Sequence, residues 1–141
     1  MTGKEFIGVA QELIGGSAEA HWRSAVSRAY YAAFHVVGMS LGVHLKVPKG
    51  PSAHGWVRNC LLNSQNSALE AAGSKLADLH RQRLNADYRL HFAFMQGTAR
   101  AFVESAKRVI TQVENSLTGA GAARIVVAIR DYLRITNQPG L

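Results

Sequence analysis

Ser27-Arg28-Ala29-Tyr30-Tyr31-Ala32-Ala33-Phe34-His35 is the stretch on which the fold turns. Rotation by 100° per residue puts Trp22, Val26, Ala29, Tyr30, Ala33 and Val37 on one broad apolar arc, which predicts a long helix with that face in a core. The opposite arc carries His21, Ser24, Arg28, Tyr31 and His35. Arg28, Tyr31 and His35 stand at i, i+3 and i+7, so they line up along one edge. The two adjacent tyrosines therefore have different expected jobs: Tyr30 packs, and Tyr31 offers a hydroxyl beside a guanidinium. The polar edge reads either as solvated surface or as a face turned to a ligand or partner.

A second stretch, Arg83-Leu84-Asn85-Ala86-Asp87-Tyr88, makes a similar line. Leu76, His80, Arg83 and Asp87 recur at helical intervals, so one stripe changes from apolar to ionisable towards its carboxyl end. Arg83 and Asp87 are one turn apart and can pair, which fits a structural ion pair. Tyr88, Arg89 and His91 follow at once, which fits a working site instead. A buried charge is costly unless it is paired, so ionisable groups within apolar helical stretches imply one or the other.

Outward from these segments the periodicity is helical almost throughout. Thr2 is the expected cap of a first helix to about Ile14, with Phe6, Val9, Ala10, Leu13 and Ile14 on one stripe and Gly15-Gly16 ending it. Ser17 is the expected N-cap of the second helix, which runs to Leu41 or Gly42. Pro48, Gly50 and Pro51 mark a loop, and Ser52 opens a shorter helix containing Trp56, Val57, Cys60 and Leu61. A polar connector over 63–67 leads to a fourth helix over about 68–88 and a fifth over about 98–117. The break Gly119-Ala120-Gly121 sets off a sixth over about 123–134, and 137–141 reads as a frayed tail. The fold class is all-α: an antiparallel up-and-down bundle of four to five core helices over 1–118, with a C-terminal extension helix and tail over 119–141 packed on the same domain.

The chain has 141 residues and a formal charge of +7, a balance that favours polyanionic partners. Its basic residues are scattered from Lys4 to Arg134 without a long run, so charge alone also fits nonspecific polyanion binding or a merely solvated surface. The lone Cys60 has no disulfide partner and reads as a core residue, and neither a signal-type run nor a membrane span is expected, which together point to the cytoplasm. No metal or cofactor is expected. His80 with His91, and His21 with His35, lack the spacing and carboxylate of a helical metal site. The glycine pairs fit no phosphate loop, and Ser24 and Ser27 lack an acid and base set that would make a nucleophile.

SRAYYAAF at 27–34, the histidine of Ser52-Ala53-His54, and RLNADY at 83–88 together resemble the HEPN superfamily, and within it the small stand-alone helical proteins, over about residues 5–117. The resemblance implies a homodimer and an operon partner that is a minimal nucleotidyltransferase, the two forming a toxin–antitoxin pair. The toxin-like member would be a metal-independent RNA endonuclease in which an Arg and a His a few residues later serve the catalysis. A His moves the 2′-hydroxyl or leaving-group proton, and an Arg holds the phosphate charge. Carried onto this sequence, the catalytic pair is Arg83 and His91, with Arg28, Tyr31, His35, His80, Asp87 and Tyr88 lining an RNA- or nucleotide-facing groove. His91 lies beyond the family's usual spacing from Arg83, and Tyr88 and Arg89 occupy the positions where that His belongs. The alternative is a non-enzymatic dimeric interaction module whose Arg/Asp/Tyr layer is structural.

Overall fold

The apolar periodicity becomes six helices and no strand: α1 (Phe6–Ile14), α2 (Glu19–Gly42), α3 (Ser52–Leu62), α4 (Ser67–Tyr88), α5 (Gln96–Thr118) and α6 (Ala122–Ile135). The computed structural model describes all residues, Met1–Leu141. The all-α expectation holds, with the helix boundaries close to those expected. No helix is long and apolar enough to cross a membrane.

Helix α2, about 36 Å long at the usual rise per residue, is the central element and touches α1, α3, α4 and α5. Ala25, Ala29, Ala32 and Ala33 on it are wholly buried. Their small side chains let neighbouring helices come close without leaving voids. From α5 the stripe Ala99, Val103, Ala106, Ile110, Val113 and Leu117 faces this seam, and α4 adds Leu69, Ala72, Leu76, Leu79 and Ala86. Helix α6 sets Ile125, Ile129 and Leu133 into the same core, against α3 and α5.

Local chemistry fixes the helix ends, in part differently from the expectation. Thr2 is not the cap of α1, whose N-cap is Glu5; its Oγ1 accepts from Lys4 N at 3.3 Å, and the Glu5 carboxylate accepts from Thr2 N at 3.1 Å, ahead of the helix. Regular helix begins only at Phe6, after one tight turn. The buried stripe of α1 is narrower than expected, and Val9 is exposed at its rim. Ser17 is not the cap of α2. The N-cap is Ala18, whose N–H donates to His21 Nδ1 at 3.2 Å, so a side chain one turn into the helix reaches back where Ser17 does not. Trp22, half-buried rather than fully in the core, donates from Nε1 to Gly16 O at 2.8 Å and sets the entry angle. Asn66 caps α4 by accepting from Leu69 N at 3.0 Å.

The last residues are not frayed. Pro139 O accepts from Trp56 Nε1 at 2.8 Å, and Gly140 O accepts from Lys46 N at 2.9 Å. Gly140 has φ +116° and sits so close to the Trp56 ring that any Cβ would overlap it. Two hydrogen bonds and a glycine contact thus tie the tail to α3 and its preceding loop.

Candidate functional site

Helices α2 and α4 meet along two polar layers, each centred on an arginine. In the first, Arg23 is buried on α2. Its Nε donates to Glu19 Oε1 at 2.7 Å, and its Nη1 donates to the carbonyls of Asn85 and Ala86 at 3.1 and 3.0 Å. Nη2 donates to Phe92 O, and the guanidinium lies 5.1 Å from the Phe94 ring centroid. The last turn of a helix leaves carbonyls without partners, and Arg23 supplies donors to those at the end of α4. Neither of the two motif segments, 27–35 and 83–88, contains this residue. The signal in the sequence was its position one turn before Ser27 on the buried side of α2, with Glu19 one turn earlier still.

The second layer contains the residues that the sequence emphasised. Arg83 reaches from α4 to α2, where its Nη2 donates to Tyr31 Oη at 2.6 Å. Its Nε lies 2.9 Å from Asp87 Oδ2, so the pair one turn apart forms an ion pair, although the Nε–H is not aimed at the carboxylate oxygen. Ser27 Oγ donates to that same Asp87 oxygen at 3.1 Å and ties α2 to α4 a second time. The guanidinium carbon of Arg83 stands 5.1 Å from the Tyr31 ring centroid and 5.6 Å from that of Tyr88, within cation–π range. Only 15% of the Arg83 side chain is exposed, so a ligand would meet it through the little surface left open.

Beside this layer lies an aromatic stack. Tyr30, 1% exposed, packs as its helical position requires, and its hydroxyl is 2.5 Å from His54 Nδ1. The His54 and His80 rings are nearly parallel, at 3°, with centroids 5.2 Å apart, and Phe34 also stacks on His54, with centroids 4.3 Å apart. Burial pushes the pKa values of both histidines below the ordinary value. Arg83 adds to the shift at each, with His35 acting on His54, and with His54 and Arg58 acting on His80. Burial also holds the Tyr30 phenol well above its usual range. At neutral pH the stack is therefore uncharged, and a Tyr30 hydroxyl donating to His54 Nδ1 leaves Nε2 of that ring to carry the proton. His54 belongs to this site, yet the polar stripes on α2 and α4 could not reveal it, because it comes from α3.

The remaining sequence candidates divide. Arg28 is half-buried, with its guanidinium carbon 5.2 Å from the ring centroids of both Phe6 and Tyr31. His35 is half-buried between Phe6, Tyr31 and Phe34, and Gly3 fits against it so closely that a Cβ would overlap the imidazole. The edge of Arg28, Tyr31 and His35 is thus covered in part by the start of the chain. Tyr88 is exposed at the end of α4 and touches the cluster through Arg83. His91 is exposed in the connection to α5, against Phe92 at 4.5 Å, while Arg83 turns to Tyr31, Asp87 and Tyr88.

The geometry limits the chemistry. Two proton-transfer groups acting on one phosphodiester must stand on opposite sides of it at hydrogen-bond distance, about 2.8 Å from each reacting oxygen. Imidazole nitrogens exchange protons in the plane of the ring, so the face-to-face stack of His54 and His80, 5.2 Å between centroids, leaves only the ring edges for such contacts. No three His, Cys, Asp or Glu side chains come together as a metal-ligand set.

A family model described as HEPN domain matches residues 2–116. No curated protein and no solved structure gives a significant match.

Proposed function

The chain belongs to the HEPN domain family, a family of nucleotide- and RNA-associated modules, and on that premise we propose that it is the toxin-like half of a pair with a minimal nucleotidyltransferase, acting on RNA or a nucleotide as a homodimer. The observation that carries this reading is the convergence of Tyr31, Arg83 and Asp87 with the Tyr30–His54–His80 stack inside the matched region. Exposed Tyr88, Leu90, Phe92 and Met95, beside that cluster at the turn from α4 to α5, support a second copy or a partner chain seated there.

The test uses the full-length protein with tRNA and single-stranded RNA in EDTA, read for both retention and cleavage. Retention by the wild type supports an RNA-associated module. Cleavage lost in Arg83→Ala and in His54→Ala assigns the site to metal-independent nuclease chemistry, whereas cleavage lost in His91→Ala assigns the proton transfer to the exposed connection. Neither retention nor cleavage removes the RNA reading. A short nucleotidyltransferase reading frame beside this gene, whose product relieves growth arrest caused by this chain, supports the toxin pairing. No arrest on expression counts against it.

A second reading has its own support. Arg83 is largely covered and its partners are all within the chain, so the Arg/Asp/Tyr layer also suits a structural role in a non-enzymatic dimeric module. Under it, Arg83→Ala lowers the melting temperature or dissociates the dimer while RNA retention is unchanged.

A further inference from the structure

His80 faces two ways. One side belongs to the stack with His54. It also lines a cleft of about 320 Å³ between α3 and α4, together with Arg58, Arg81, Asn85 and Arg89. Ala77, Arg81 and Asn85 follow one another every four residues along α4, the C-cap residue Arg89 continues the wall past the helix end, and Arg58 faces them from α3. Arg58 and Arg89 take part in no ion pair. Arg81 is held by Asp78, the one carboxylate bonded at this rim. Arg58 is near enough to bear on both Tyr30 and His80 electrostatically. The cleft thus gathers cationic side chains that the scattered sequence distribution does not show.

Resting on the RNA-associated reading, we propose that this α3–α4 cleft binds the phosphodiester backbone of a single nucleic-acid strand, with Arg58 and Arg89 as the principal phosphate contacts and His80 at its inner end. Arg81 and Arg89 are two helical turns apart, about 12 Å along the axis. The basic wall is thus longer than one phosphate, which suits a strand passing along α4 rather than a lone anion. The guanidinium fork is suited to phosphate oxygens, and contacts of this kind carry affinity without base preference. The unpaired arginines remain available to a ligand, unlike Arg83, which is engaged inside the protein.

The experiment is fluorescence anisotropy of a labelled 12-nucleotide single-stranded RNA, titrated with the full chain across a salt series. Replacing Arg58 and Arg89 by glutamate is expected to weaken binding at least about tenfold and to flatten the salt dependence by roughly 0.7 in log–log slope for each phosphate no longer neutralised. The control is Arg100→Glu with Arg108→Glu, positions on α5 that do not line the cleft, which change net charge equally and should weaken binding much less. Arg58→Gln with Arg89→Gln, with melting followed by circular dichroism, guards against loss of fold and should show a smaller loss in the same direction. If the wild type binds and the cleft variants match the α5 control, the inference fails while the RNA reading stands. If the wild type does not bind RNA, both fail. If uridine monophosphate competes as well as the 12-mer, the site is not a strand-binding cleft and the inference is overturned.

Discussion

Arg23 and Arg83 join the same two helices, yet the structure uses them in opposite ways. Arg23 donates mainly to backbone carbonyls at and just beyond the end of α4, groups present whatever the side chains are. Arg83 donates to a tyrosine hydroxyl and lies beside a carboxylate, and its surroundings include two stacked histidines with lowered pKa values. The first arrangement closes a helix end. The second assembles groups that can exchange protons and that depend on one another's identity. A buried arginine is thus informative about function according to what it donates to, rather than by being buried.

Four perturbations separate the two layers. Arg23→Ala should have the largest effect on stability, about 3 kcal/mol or more in urea unfolding, because it strips several buried carbonyls of their donor. A loss below about 1 kcal/mol would mean that water or rearrangement replaces it and that the two layers differ less than their bonding implies. Arg83→Ala should cost less, about 1–2 kcal/mol, since Asp87 keeps the Ser27 hydroxyl and is partly open to water. A loss equal to that of Arg23→Ala would erase the distinction.

The third perturbation is pH. The folded-state pKa values of His54 and His80 lie below 6.5, so the unfolded chain takes up protons first as pH falls. Stability is therefore full above about 6.5 and declines below it, as protonation begins to favour the unfolded chain. Arg83→Ala removes one cause of both shifts and should lessen this acid-side loss, whereas Arg23→Ala should leave its slope unchanged. Equal slopes in all three proteins, measured by urea unfolding between about pH 5 and pH 8 at roughly half-unit steps, would uncouple the histidines from Arg83. The smallest effect belongs to Tyr31→Phe. It removes the acceptor of the Arg83 hydrogen bond and should cost about 1 kcal/mol while leaving the ring contact in place. No change in melting would show that the aromatic contact alone holds the guanidinium.

How much of this was legible depends on where the interacting groups come from. Tyr30 and Tyr31 could be separated by helical rotation alone, and Arg83 with Asp87 needed only one turn of helix. Arg23 was not legible in the same way, because its partners are main-chain carbonyls more than 60 positions further on and carbonyls leave no mark on a sequence. His54 was readable as part of a family resemblance, but its contact with His80 required α3 to be laid against α4. The tail differs from its expectation for a similar reason. Pro139-Gly140 resembles a loose end by composition, while Trp56 supplies the hydrogen bond and the ring face that hold it.

The sequence alone determined that the chain forms helices, where those helices break, and to which superfamily its paired motifs belong. Those properties follow from short-range periodicity, capping and residue order, which act within a few turns of backbone. Tertiary structure alone decided that Arg23 would close the end of α4, that His54 and His80 would stack, and that Arg58 would face Arg81 and Arg89 across a cleft. These depend on the distance and rotation between helices, which packing of the whole core sets and no local window contains.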